Sequence, residues 1–149
     1  MITVTLLSLL GAAIAAIVGS FWYSNSTPMG RIHMKTLGCD NLTPAEMKKK
    51  MEEAKPMMGK MYAAQIGLSF LTSFAVVFIV TTGMRNGLSF GMALGFIAMN
   101  WLCFIVPTIG SGIIWSNTDK SIRYPRFFSE IGANLVTLVL IAFVARFFV

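Results

Sequence analysis

The sequence predicts an all-α polytopic membrane protein: four transmembrane helices plus a short cytoplasmic amphipathic helix. Three observations predict it. Charged residues make up 12% of the chain and hydrophobic residues 56%, with a mean hydropathy of +0.73, whereas soluble domains carry about 25% charge. Four apolar stretches are each long enough to cross a core of about 30 Å at about 1.5 Å per residue. The alternating pattern of a membrane β-barrel is missing, and lipid offers backbone amides no partners, so helices are the spanning form.

The first stretch runs from about Ile2 to Tyr23. Ala13-Ile14-Ala15 resembles a small-residue cleavage site, but no Lys or Arg precedes the run and it continues to Trp22-Tyr23. A retained helix therefore fits better than a signal peptide. A linker follows over about 24–60. Within it, Thr43-Pro44-Ala45-Glu46 reads as a capping box with Pro at the first helical position. A helix over about 44–55 would align Met47, Met51, Ala54 and Met58 on one face, with Lys48–Glu52 and Lys49–Glu53 spaced by four. Pro56 should weaken or kink it. It is expected near the membrane surface, a solvated extension of the second crossing being the alternative. The remaining crossings are expected over about 61–84, 90–115 and 127–149. Together they make a single membrane domain.

Charge orients these elements. The net charge is +6, which in a soluble protein would suggest nucleic acid as a partner. Here the basic residues cluster in two loops, so topology and anionic lipid account for them and nucleic acid does not. The first loop holds Arg31, Lys35, Lys48, Lys49, Lys50, Lys55 and Lys60, and the third holds Lys120, Arg123 and Arg126. Only Arg85 and Arg146 fall on the opposite side. This bias puts the basic loops in the cytoplasm and both termini outside a cell (inner or plasma) membrane. Trp22, Tyr23, Tyr62, Trp115 and Tyr124 all fall at the basic face, where amphipathic rings anchor at headgroups. The cytoplasmic placement makes the glycosylation patterns at Asn25 and Asn41 chance matches. Cys39, in a loop, and Cys103, inside an apolar run, should be separate free thiols.

Gly19-Ser20-Phe21-Trp22-Tyr23-Ser24, then Pro28-Met29-Gly30-Arg31, Met34-Lys35 and Gly38, resemble the first signature of an uncharacterised small membrane family. It is catalogued as domain of unknown function seventeen-sixty-one. Met58-Gly59-Lys60-Met61-Tyr62 fits a further stretch, as do Gly91, Gly95 and the run Trp101 to Pro107. The chain departs from the pattern at Met29 and His33, where the family often has Phe and Trp, and has an extra residue before Pro28. The resemblance implies a four-helix integral membrane fold and no activity.

Several residues invite a site. Gly87, Gly91 and Gly95 are spaced by four, a candidate packing seam inside the bundle or between two copies, and Ser69 and Ser73 share that spacing. Asn100, Trp101 and Pro107 put polar hydrogens and a broken backbone near mid-membrane. Asn134 is the expected partner of Asn100, and a small-molecule site at the broken helix is the sharper reading. Glu130 should pair with Arg126, and Arg146 should snorkel toward the terminal carboxylate. Met29, Met34, Met47, Met51, Met57, Met58 and Met61 crowd one region with His33 and Cys39. Such ligands suit Cu(I), but no Cys-x-x-Cys occurs and Met58–Met61 is a lone Met-x-x-Met pair, so neither metal nor cofactor is expected. Arg31, Lys48, Lys49 and Lys50 are candidate anionic-lipid contacts.

One histidine and the absence of HExxH, GxSxG, P-loop or dinucleotide turns argue against an enzyme. The expected role is non-catalytic: an accessory or interaction subunit, or a bundle binding lipid or a hydrophobic ligand. The alternative is a small oligomeric transporter or channel. The expected partners are membrane lipids, a second copy or a larger membrane complex.

Overall fold

The computed structural model describes residues 2–116 and 119–149. Its elements are α1 (Ile2–Trp22), α2 (Pro28–Thr36), α3 (Pro44–Arg85), α4 (Phe90–Asn100), a π-helical turn (Trp101–Ile105), α5 (Val106–Ile114) and α6 (Lys120–Arg146). Four stretches are long and apolar enough to cross a membrane: Thr3–Trp22, Pro44–Arg85, Phe90–Ile114 and Lys120–Arg146. The fold is an all-α polytopic membrane fold.

Three expectations about boundaries are corrected. The short linker helix is not separate: α3 is one helix of 42 residues, about 63 Å long at about 1.5 Å per residue. The capping box forms as read, with Thr43 Oγ1 accepting from the Glu46 amide and the Glu46 carboxylate accepting from the Thr43 amide. The Thr43 hydroxyl also donates to the Glu46 carboxylate at 2.7 Å, and that bond, followed by the one from the Thr43 amide, holds the carboxyl below its ordinary range. Pro56 does not stop the helix. Its missing amide would have bonded the carbonyl of Glu52, and both residues are exposed, so solvent can take that acceptor. The same reasoning applies to α6, which starts at Lys120 and runs through exposed Pro125. Finally, the linker contains α2, which the hydrophobic pattern does not reveal.

Pro107 acts differently because it lies inside a span. It cannot donate to Cys103, and lipid supplies no substitute. The helix widens over Trp101–Ile105, and the Val106 amide bonds the carbonyl of Trp101, five residues back. Such π-turns make room for an interruption without ending the helix.

Helices α1, α3 and α6 pack against one another, and the broken third crossing leans on α3 and α6. The core gathers Leu7, Val76, Val77, Val80, Ala93, Ile97, Leu138, Ile141, Ala142 and Ala145. It lies toward the end that carries the chain termini. Where α1 crosses α3, Ser8 and Ser73 are completely buried. A Cβ on Gly11 would stand 1.8 Å from Ser73 Oγ and 3.1 Å from Ile141, so Gly11 sets the closeness of approach. At the same end, Phe143 meets Phe90 edge-on, and the Arg146 guanidinium lies 4.9 Å above the Phe90 ring. The ring, rather than the terminal carboxylate, receives the arginine.

Two helix ends use glycine in the left-handed region. After α2, Gly38 (φ +62) bonds Lys35 and Cys39 bonds Met34. After α3, Gly87 (φ +88) bonds Met84 and Leu88 bonds Gly83. Both are Schellman motifs, whose positive φ costs glycine little.

Candidate functional site

The stretch 19–38 folds back on α1 and seats α2 against the start of α6. Thr27 organises the turn. Its hydroxyl shares its one proton between the carbonyls of Trp22 (2.7 Å) and Ser24 (2.9 Å) and accepts from the Gly30 amide (2.9 Å). Thr27 is thus the N-cap of α2, with Pro28 at the first helical position. Gly30 is buried against the preceding turn, where a Cβ would fall 1.8 Å from the Ser24 carbonyl oxygen. Thr27 and Thr43, each the third residue of a glycosylation pattern, are both N-caps.

Trp22 and Tyr23 then face inward. Trp22 Nε1 donates to Ser129 Oγ at 3.2 Å, and its ring lies against Gly132. Tyr23 packs on His33 with ring centroids 4.8 Å apart. Arg126 and Glu130 form the expected ion pair at 2.6 Å, both partly exposed. Tyr23, His33, Arg126, Ser129 and Glu130, with Ile32 and Thr36, line a cleft of about 10 Å³, about the smallest volume that holds a water-sized group. Burial pushes the His33 imidazole below its ordinary value; the Glu130 carboxylate opposes this and the Arg126 guanidinium adds to it. The arrangement can exchange a proton or bind one small polar group, and it staples α1, α2 and α6 together.

Trp22 and Tyr23 are therefore half-buried contacts, and not simply rings facing headgroups, as anchors would be. Tyr62, Trp115 and Tyr124 are exposed, Trp115 at 85%. Lys50 is also committed: its ammonium reaches the Leu37 carbonyl (2.8 Å) and Gly38 carbonyl (3.5 Å), capping the negative end of α2. Arg31, Lys48 and Lys49 remain exposed. Among the described residues, Lys48–Glu52 and Lys49–Glu53 do not close to ion-pair distance.

The mid-membrane group is not brought together. Asn100 Nδ2 donates to Phe96 O and Asn134 Nδ2 to Glu130 O, each at 2.9 Å and each within its own helix. An amide four residues from a freely shared carbonyl needs no second helix. Trp101 instead makes the cross-link, donating to the Ile131 carbonyl at 3.1 Å. Pro107 faces away, on an open groove with Cys103, Phe104, Thr108 and Ser111. The glycine seam also fails within the chain. Gly87 belongs to the turn after α3, while Gly91 and Gly95 are exposed, with no close neighbour on a facing helix.

Met51, Met57 and Met61 are exposed on α3, Met29, Met34, Met47 and Met58 are half-buried, and Cys39 is buried. Among the described residues, no three His, Cys, Asp or Glu side chains gather closely enough to hold a metal. Sequence reasoning missed Ser129 and Gly132 as the seat for Trp22. Two small residues three apart were the available signal.

The family model described as "Protein of unknown function (DUF1761)" matches residues 6–145, which touches every element above. No curated protein and no solved structure matches the chain.

Proposed function

We propose that this chain, which belongs to the DUF1761 family of unknown function, is a non-catalytic accessory or interaction subunit of a membrane assembly. One observation carries the reading: apart from Trp22 and Trp101, which bond across to α6, and the buried Ser73 hydroxyl, which has no hydrogen-bond partner, the hydroxyls and amides that follow spend their hydrogen bonds on their own helices. Ser8 bonds Val4 O, Thr81 bonds Val77 O, Thr108 bonds Phe104 O and Thr137 bonds Ala133 O, all at 2.6–2.8 Å. Asn100 and Asn134 do the same. A transport path needs polar groups aimed into a shared space. Meanwhile the third crossing turns Met92, Phe96, Met99, Leu102 and Phe104 outward, a surface suited to lipid or another subunit.

The chain lies in a cell membrane with both termini outside and its basic loops in the cytoplasm. The bias of basic residues supports that orientation, as does the exposure of Tyr62, Trp115 and Tyr124 at the basic end. Native mass spectrometry from nanodiscs should retain a stoichiometric protein partner or a second copy, while proteoliposomes show no flux above empty vesicles. Solute or ion flux abolished by a mid-span substitution would replace this reading with the transporter or channel.

A further inference from the structure

Helix α3 outlasts the membrane. If its apolar half, from about Met61, fills the span, then residues 44–60 project about 25 Å beyond it. On that projection Met47, Met51, Ala54, Met58 and Met61 recur at alternating steps of four and three, the spacing of a coiled-coil seam. Met51 and Met61 are 57% and 65% exposed, and Ala54 is exposed too. Met47 and Met58, on the same face, are half-buried. Lys48 and Lys55 flank the seam on one side and Lys50 on the other, while Glu52 and Glu53 lie around the back.

We propose that this lysine-flanked methionine seam of α3 docks an acidic amphipathic helix of a partner protein, packed alongside as a coiled coil. This rests on the reading of the chain as an interaction subunit. Charge selects the occupant. Two copies share one membrane orientation, so their α3 helices run parallel and a shared seam would set Lys50 of one against Lys55 of the other. The membrane surface is a poor occupant as well. Because α3 is continuous through Pro56, the seam stands away from the bilayer instead of lying on it. A helix with apolar seam residues and Glu or Asp at the flanks meets both demands. Methionine's unbranched, polarisable chain suits such a surface.

The probe is a synthetic three-heptad peptide with Leu along its seam and Glu at the flanking positions. Its control carries Lys at those flanks. Anisotropy is measured against the full chain in nanodiscs of neutral lipid. The Glu peptide should bind saturably and more weakly as salt rises. Binding should weaken about tenfold or more in Lys48→Glu/Lys55→Glu and in Met51→Asp, two exposed changes that spare the Lys50 cap, with unchanged circular dichroism. Equal binding of both peptides, or of neither, overturns the proposal. So does an oxidative crosslink between Met51→Cys copies, which makes a second copy the occupant. A dye on Met51→Cys that shifts only when the nanodisc lipid is made anionic makes the membrane the occupant. Should the Glu peptide fail while a partner is still retained by the Lys48→Glu/Lys55→Glu chain, the seam is wrong and the subunit reading stands. If no partner or second copy is retained by any form, that reading falls too.

Discussion

Two lines of small residues run through this protein, and they meet different fates. Gly11, with Ser8 and Ser73, sits where α1 crosses α3, and nothing larger fits there. Gly91 and Gly95 lie on the third crossing, spaced as regularly as any helix-packing motif, and look outward. Spacing put Ser8 and Gly11 on one face of α1 and Gly91 and Gly95 on one face of α4. What stands opposite each face decided whether smallness is needed. In α4 the opposite side is open. At Gly11 it is another helix, close enough that even one methyl group collides.

Substitutions can break this contrast. Gly11→Leu carries the largest expected effect, about 3 kcal/mol or more, because Ser73 Cβ would lie 2.9 Å from the new Cβ and neither helix can yield locally. Reversible denaturation in detergent should show it as a collapsed midpoint. Gly30→Ala follows, at about 2–3 kcal/mol. There the obstacle is the backbone carbonyl of Ser24, which cannot rotate aside as a side chain can. Gly38→Ala should cost about 1 kcal/mol, since φ +62 strains any residue with a Cβ. Gly95→Ala should change stability by less than about 0.5 kcal/mol. If Gly95→Ala were as damaging as Gly30→Ala, the exposed line would be an interface after all.

A smaller effect should follow pH. The folded chain holds His33 below its unfolded value of 6.5, chiefly by burial. Near that value the unfolded chain then binds more protons, so stability falls as pH drops from neutral through 6.5 toward the lowered folded value. Tyr23, Glu130 and Arg126 face the imidazole. Replacing His33 with Gln should flatten the dependence, measured as the denaturation midpoint against pH.

The family signature shows how far local chemistry is legible. Thr27 followed by Pro28 can be read as a cap and a first helical residue, and Gly38 as a helix stop, because each acts on its own backbone. Gly30 and His33 cannot be read that way. One is small because the carbonyl of Ser24 comes close, and the other is half-buried because Tyr23 and the start of α6 cover it. Asn100 and Asn134 illustrate the reverse error. Two amides at similar depth looked like natural partners, yet each had a carbonyl four residues back within reach. A local bond needs no helix to move and wins.

Apolar length, capping chemistry and charge placement follow from bilayer thickness and from what a backbone can satisfy by itself. They determined the four spans, the capping box and the Arg126–Glu130 pair before any packing was known. Tertiary structure decided which faces meet. It turned Trp22 toward Ser129 and Trp101 toward the Ile131 carbonyl, and it left Met51 and Met61 of α3 exposed. Lipid rewards every apolar face equally, so hydrophobicity could not choose among them. Close contact between particular helices could.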